Sequence, residues 1–331
     1  MRTPMPWNIP HTPFTFAQAA RTGVTRAQLR TALTDGRVIR LRHGVFISAA
    51  VEAQDELGAH LQRALAQQFR SPGLFLDRTS AALAHGLPLQ RPGHVLTKAP
   101  SFLRVASPRV RGGTRAGRAV RVTSALPSHH VARLPSGLVV TSRARTAVDV
   151  AAGSDFAGAL MVLDAAAHME LADMVGRPRR AYRDPRALEA ATRPLLEAAH
   201  TTGLAARLAR PLRLADPRRE SPLESFSAAH FAEAGIPRPT HQAQIRTPQG
   251  DYFPDNLWAE YRLIGEADGQ GKYEDPAAAT KEKLRDADLR DLGYELLHWA
   301  GAEMFPTPVR VVDRVGRMLV ARGWDGVPKP W

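Results

Sequence analysis

The chain of 331 residues predicts an α/β multidomain protein, and three observations carry that expectation. Helix-cap signals and alternating apolar patterns follow one another along the whole length. The charge is divided unevenly. Residues 1–219 hold 32 Lys and Arg against 14 Asp and Glu, residues 220–300 hold 8 against 15, and residues 301–331 hold 5 against 3, for a formal net charge of +13. Finally, carboxylates gather around one short apolar run: Phe253-Pro254-Asp255, then Glu266-Ala267-Asp268-Gly269-Gln270-Gly271-Lys272, with Glu266 eleven residues after Asp255. A basic front suits a polyanion, whereas an acidic block repels one unless cations sit in it. An arginine-rich composition from a GC-rich genome is the alternative source of the excess.

Hydrophobic residues make up 44% and charged residues 23%, as in soluble globular proteins. The chain has no cysteine, which excludes disulfides, thiol catalysis and Cys-ligated zinc and fits a cytoplasmic location. The start, Met1-Arg2-Thr3-Pro4-Met5-Pro6, lacks the apolar core of a secretory signal. No apolar run reaches the roughly 18 residues of a spanning helix, so no membrane is expected.

Residues 1–52 form the first expected domain. Thr15-Phe16-Ala17-Gln18 has the pattern of a capping box, in which the Thr hydroxyl and the Gln side chain satisfy each other's orphan amides. Thr25-Arg26-Ala27-Gln28 repeats the device after Gly23, and Leu29, Ala32 and Leu33 follow at helical spacing. Two capped helices across a tight turn fit a helix-turn-helix. Arg37 to Ile47 then alternates basic and apolar residues on either side of His43-Gly44, the pattern of a two-stranded wing. Arg26, Gln28 and Arg30 lie where the second helix meets base edges, and Arg37, Arg40 and Arg42 lie where a wing follows phosphates. The alternative is a small winged helix used for protein contacts.

These residues resemble the N-terminal winged helix of the AbiEi family of antitoxins, through Phe14-Thr15-Phe16-Ala17-Gln18-Ala19-Ala20, Gly23 to Arg30, and Arg40-Leu41-Arg42-His43-Gly44-Val45-Phe46. The resemblance implies a DNA-binding module that represses its own operon in a type IV toxin–antitoxin system, with a cognate toxin as a possible partner.

Residues 53–215 are expected to form an α+β middle domain. A helix is expected over 56–69, a short capped helix over 78–85, short strands broken by basic turns over 93–125, and a strand at Val139-Val140-Thr141 running into a helix from Ala144 to Ala152. An alanine-rich helix follows from Ala157 to Leu171. Ser80-Ala81-Ala82-Leu83-Ala84-His85-Gly86-Leu87-Pro88 and Thr141-Ser142-Arg143-Ala144-Arg145-Thr146-Ala147-Val148-Asp149 are similar to recurring motifs of the AbiEi central region. Asp77, His85, Arg145 and Asp149 read as structural hydrogen-bonding residues. Asp216-Pro217-Arg218-Arg219 reads as a hinge.

Residues 216–325 are the third expected domain. Ser221-Pro222-Leu223-Glu224 opens a helix as a capping box with Pro at its first position. Strands are expected over 242–245, over Tyr252 to Trp258 carrying Asp255, and over Tyr261 to Ala267 carrying Glu266. A polar helix over 276–292, a strand over 294–299 and a closing helix over 308–322 complete an α/β core. Two or three carboxylates in one segment offer hard oxygen ligands to Mg²⁺ or Mn²⁺. Such a metal polarises phosphate and activates water, and a lysine offsets the developing charge.

The motifs Glu220-Ser221-Pro222-Leu223-Glu224-Ser225, Phe253-Pro254-Asp255, Gly265-Glu266-Ala267-Asp268-Gly269, Lys272-Tyr273-Glu274-Asp275 and Lys283 to Arg290 are together similar to the restriction-endonuclease-like superfamily. Within it they resemble the group called domain of unknown function 559, related to very-short-patch-repair endonucleases. The resemblance implies a DNA endonuclease with Asp255 and Glu266 as metal carboxylates. Glu224 becomes a helix-borne carboxylate, Asp268 a third ligand or a group behind the ligands, and Lys272 the cation at the phosphate. The superfamily's lysine two residues after the second carboxylate is here Asp268. The repair branch uses histidines instead, and no histidine lies nearby in the sequence. The alternative is a transcriptional autorepressor whose nuclease fold is silent.

Overall fold

The computed structural model describes residues 7–90, 98–105, 120–268 and 276–331, and omits the side chains of 276–282. It falls into two compact units. The first comprises residues 1–86 with 90–146, and the second comprises 87–89 with 147–331. The expected boundary between residues 215 and 216 falls inside the second unit.

In the first unit, helices α1 (Phe16–Arg21) and α2 (Arg26–Thr34) precede an antiparallel hairpin of β1 (Val38–Arg42) and β2 (Val45–Ser48). Both capping boxes form. Thr15 and Thr25 accept the amides of Gln18 and Gln28, and each Gln Oε1 accepts the backbone N–H of its Thr at 2.8 Å. Phe14 bridges to Phe46, and Ala19, Val24, Leu29, Ala32 and Val38 complete a small core. Next come α3 (Glu56–Arg70), β3 (Leu74–Leu76), α4 (Arg78–His85), β4 (Phe102–Val105), β5 (Val120–Thr123), β6 (Val131–Arg133) and β7 (Val139–Thr141). The strands form a mixed sheet in the order β5-β4-β3-β7-β6. Asp77 is fully buried against Arg121 at 2.8 Å, and His85 Nε2 lies 2.8 Å from the Thr141 carbonyl, as structural roles require. Much of the expected basic-turn region between 93 and 125 lies outside the described residues.

Helix α5 (Arg143–Ala151) leads into the second unit. There α6 (Phe156–Val175), α7 (Pro185–Thr201) and α8 (Ala209–Leu214) precede α9 (Pro222–Glu233). Where α6 meets α9, Ala157 and Leu160 pack against Ala228, Ala229 and Ala232. A hairpin of β8 (Ile245–Thr247) and β9 (Gly250–Tyr252) follows. A three-stranded sheet then runs β10 (Asn256–Trp258), β11 (Leu263–Asp268) and β12 (Glu295–Ala300). The β10–β11 pair is antiparallel. The β11–β12 pair is parallel, and α10 (Pro276–Asp291) crosses over between the two strands. Short α11 (Gly301–Met304) and α12 (Pro308–Ala321) close the unit.

All six residues of β11 are buried. Leu263 and Ala267 pack with Phe231, Trp299 and Val315, while Ile264 packs on the opposite face with Leu257, Leu289 and Leu296. A strand covered on both faces is ordinarily apolar throughout, so the buried Glu266 and Asp268 are exceptions that need partners.

Three expectations need correction. The strand expected over 252–258 is two strands with Phe253-Pro254-Asp255 between them, because Pro254 has no N–H to give to a ladder. The strand expected over 242–245 begins only at Ile245, since Gln242 adopts a left-handed backbone with φ 51°. The expected hinge at 216–219 is locked. Asp216 and Arg219 are buried, and Arg219 Nη1 lies 2.7 Å from Asp164 Oδ2 on α6.

Candidate nucleic-acid interface and carboxylate site

Arg26, Arg30, Arg37, Arg40 and Arg42, on α2, on the β1–β2 hairpin and in the turn between them, are all exposed. Arg26 and Arg30 are four apart on α2 and share its solvent face. Arg26 lies over the Phe16 ring at 5.1 Å, and Arg40 lies over Phe46 at 5.8 Å. These stackings hold the two guanidiniums while leaving them in solvent. Arg37 leans on Asp35 at 3.3 Å. Gln28 forms the expected cap, with its Oε1 accepting from the Thr25 amide and hydroxyl.

In the second unit Glu224 sits in the first turn of α9, where its amide is capped by Ser221 at 3.2 Å. Its Oε2 accepts the Glu220 N–H at 3.0 Å and the Gln242 amide at 3.4 Å. Burial, and then the neighbouring Asp255 carboxylate, push the Glu224 carboxyl up to about 8. Asp255 lies just before β10. Its Oδ1 accepts from Gln242 Nε2 at 3.0 Å and its Oδ2 from the Ala267 N–H at 2.8 Å, which ties it to β11 beside Glu266. Glu266 is buried and faces Tyr252, whose phenol is pushed up by burial and by the Glu266 charge. Arg285 of α10 lies over the Tyr252 ring at 4.6 Å, close enough to sense Glu266. The structure thus brings Glu224, Asp255 and Glu266 into one neighbourhood.

Asp268 is drawn elsewhere. β11 extends through it, so Glu266 and Asp268 share a face. However, Asp268 Oδ2 lies 3.1 Å from His298 Nδ1, and His298 Nε2 lies 3.5 Å from Asp286. No histidine lies nearby in the sequence, yet β12 places His298 directly opposite Glu266. Nothing in the linear spacing signals this, because the parallel register is set across the α10 crossover. Lys272 lies outside the described residues. Among the described residues no three acidic or histidine side chains are close enough to hold one metal ion.

Sequence reading also missed the residues behind the site. Arg219 Nε donates to His241 Nε2 at 3.1 Å, so the His241 proton is on Nδ1 and is donated to the Asp255 carbonyl at 3.0 Å. Burial, reinforced by Arg219, holds His241 down to about 3, a neutral ring. Arg179 pairs in two bonds with Glu220, at 2.9 and 2.8 Å, and Tyr182 donates to the same carboxylate at 2.7 Å.

Residues 11–49 match the family model described as "Transcriptional regulator, AbiEi antitoxin", a stretch that covers α1, α2 and the hairpin. Over 307 residues the chain is 27% identical to an uncharacterized protein of Mycobacterium tuberculosis, matched in two strains, with 89% of this chain and 97% of the relative aligned. That similarity runs through both units, beyond the part that the family model matches.

Proposed function

We propose that this chain is a DNA-binding transcriptional regulator of the AbiEi antitoxin type. The observation that carries the reading is the pair of capped helices with a basic hairpin over the matched residues, from which Arg26, Arg30, Arg40 and Arg42 project into solvent. In this reading α2 enters the major groove and the hairpin follows phosphates, with a cognate toxin as a further partner. Replacing Arg26 and Arg40 with Ala is expected to weaken operator binding and to reduce its salt slope by about 2, measured by fluorescence anisotropy. Unchanged affinity and slope would remove the winged helix as the contact.

The carboxylates of the second unit favour a second, additional reading: Mg²⁺-dependent hydrolysis of DNA. The donor chemistry fits the metal. Burial, and then the Asp255 charge, raise the Glu224 carboxyl, and a cation between the two carboxylates would offset both effects. Mg²⁺ needs only one or two carboxylates when waters and substrate phosphates fill its remaining positions. Asp255 and Glu266, with Glu224 behind them, would hold it. When bound it polarises the phosphate and lowers the pKa of a water. Gln242 and the Ala267 amide fix the Asp255 carboxylate, and Arg285 is a described cation beside Glu266. The order helix, antiparallel pair, crossover helix and parallel strand supports a restriction-endonuclease-like core. The engagement of Asp268 with His298, where that superfamily carries a lysine, supports the silent form instead. Plasmid incubated with the protein and Mg²⁺ or Mn²⁺ is expected to be nicked, and Asp255→Ala or Glu266→Ala to abolish nicking. Intact DNA and RNA under all conditions, with binding retained, would leave the regulator alone.

A further inference from the structure

A cleft of about 430 Å³ opens in the second unit, lined by Tyr182, Arg183, Arg218, Gln242, Gln244 and Arg246 among others. No acidic side chain is among the described residues lining it, although residues 220–300 are net acidic. Arg183 and Arg246 are exposed and form no ion pair among the described residues, and Arg183 Nη1 is steadied by Gln244 Oε1 at 2.8 Å. Arg218 is half-buried and held from behind by Asp216 through two bonds, at 2.9 and 2.7 Å.

The cleft shares a wall with the carboxylate site. Gln242 is 2% exposed and strained at φ 51°. Its Nε2 points at Asp255 and Glu224, both acceptors, so the amide orientation is forced. Its Oε1 is a buried acceptor with no hydrogen-bond partner among the described residues. Such an atom is expensive to leave unpaired and marks a place where a ligand or water completes the site.

We propose that this cleft binds the phosphate backbone of a nucleic-acid strand beside the carboxylates, as a second nucleic-acid contact separate from the winged helix. The guanidiniums of Arg183 and Arg246, with the Asp216-paired Arg218 between Asp216 and the cleft, match repeated phosphates, which arginine grips through its planar fork. The turn Pro178–Ala181 and the adjoining Tyr182-Arg183 thereby gain a role that the strands and helices of the carboxylate domain do not supply. The reason a strand lies there rests on the nuclease reading, but binding is measurable without cutting.

The test uses the full chain in EDTA with Arg26→Ala/Arg40→Ala disabling the winged helix, and a fluorescein-labelled oligonucleotide, single-stranded and duplex. Adding Arg183→Ala/Arg246→Ala is expected to weaken the remaining binding by on the order of tenfold and to lower the salt slope by about 2. Arg183→Lys/Arg246→Lys retains most of the slope. Arg246→Gln alone, at an exposed position and without a like charge set opposite Asp251, provides a second reading. Unchanged binding and slope in these variants overturn the proposal. So does a mononucleotide that competes as well as the oligonucleotide at equal phosphate concentration, which marks a small-molecule site. Loss of cleft binding in a protein that never nicks plasmid supports the cleft and sinks the nuclease reading. Nicking at the parental rate by the cleft variants sinks the cleft and leaves that reading standing.

Discussion

Glu224 and His241 stand on either side of Asp255 and respond to pH in opposite directions. The folded Glu224 carboxyl is raised to about 8 from an ordinary 4.5, so folding takes up a proton and stability rises as pH falls from 8 to 4.5. His241 is lowered to about 3 from 6.5, so the unfolded chain takes up the proton and stability falls as pH drops from 6.5 to 3. Between 6.5 and 4.5 the two effects oppose each other. Glu224→Gln removes the first and leaves the second. In chelator, its unfolding free energy is expected to fall as pH drops over that window, by on the order of 1 kcal/mol per pH unit and read as a lower urea midpoint, while the parent changes little. Parallel pH profiles for the two proteins would contradict this pairing. At the same scale, the neighbourhood of Asp255 and Glu266 is legible from spacing, since both flank one hairpin-like turn. Gln242 and His298 are not, because they arrive through a left-handed loop and a parallel register.

The elements divide by the range of the forces that make them. Both N-terminal helices are written by their capping boxes, which act within four residues, and the structure reproduces them down to the bonds. The strand expected over 252–258 breaks at Pro254, a local rule that alternation alone overrode. β11 is the element on which the carboxylate site depends, and its tolerance is small. A Cβ on Gly265 would approach Trp299 at 2.7 Å and Trp258 at 2.9 Å, both large buried rings. Gly265→Ala is therefore expected to destabilise the second unit by about 1–3 kcal/mol, read as a lower urea midpoint. A variant as stable as the parent would show that these rings move freely.

At the scale of the molecule, the second unit ties helices α6 to α8 to the sheet domain through the buried Asp164–Arg219 pair and the alanine contact of α6 with α9. Removing one member of such a pair costs about 3–5 kcal/mol, because the other charge is left buried. Residues 216–219 are accordingly expected to resist trypsin under native conditions despite two consecutive arginines. Early cleavage after Arg218 or Arg219, seen by mass spectrometry of the fragments, would show that the segment opens.

The sequence by itself determined the mixed α/β class, the capped helices with their basic hairpin, and the concentration of carboxylates between residues 255 and 268. All of these follow from interactions between residues close in the chain or from composition. Only the tertiary structure decided that Asp268 turns to His298, that the 216–219 segment is an anchor, and that an arginine-lined cleft adjoins the carboxylates. Each of these depends on partners brought together by strand register or helix docking, where burial and charge pairing act across dozens of residues and leave no periodic trace in the chain.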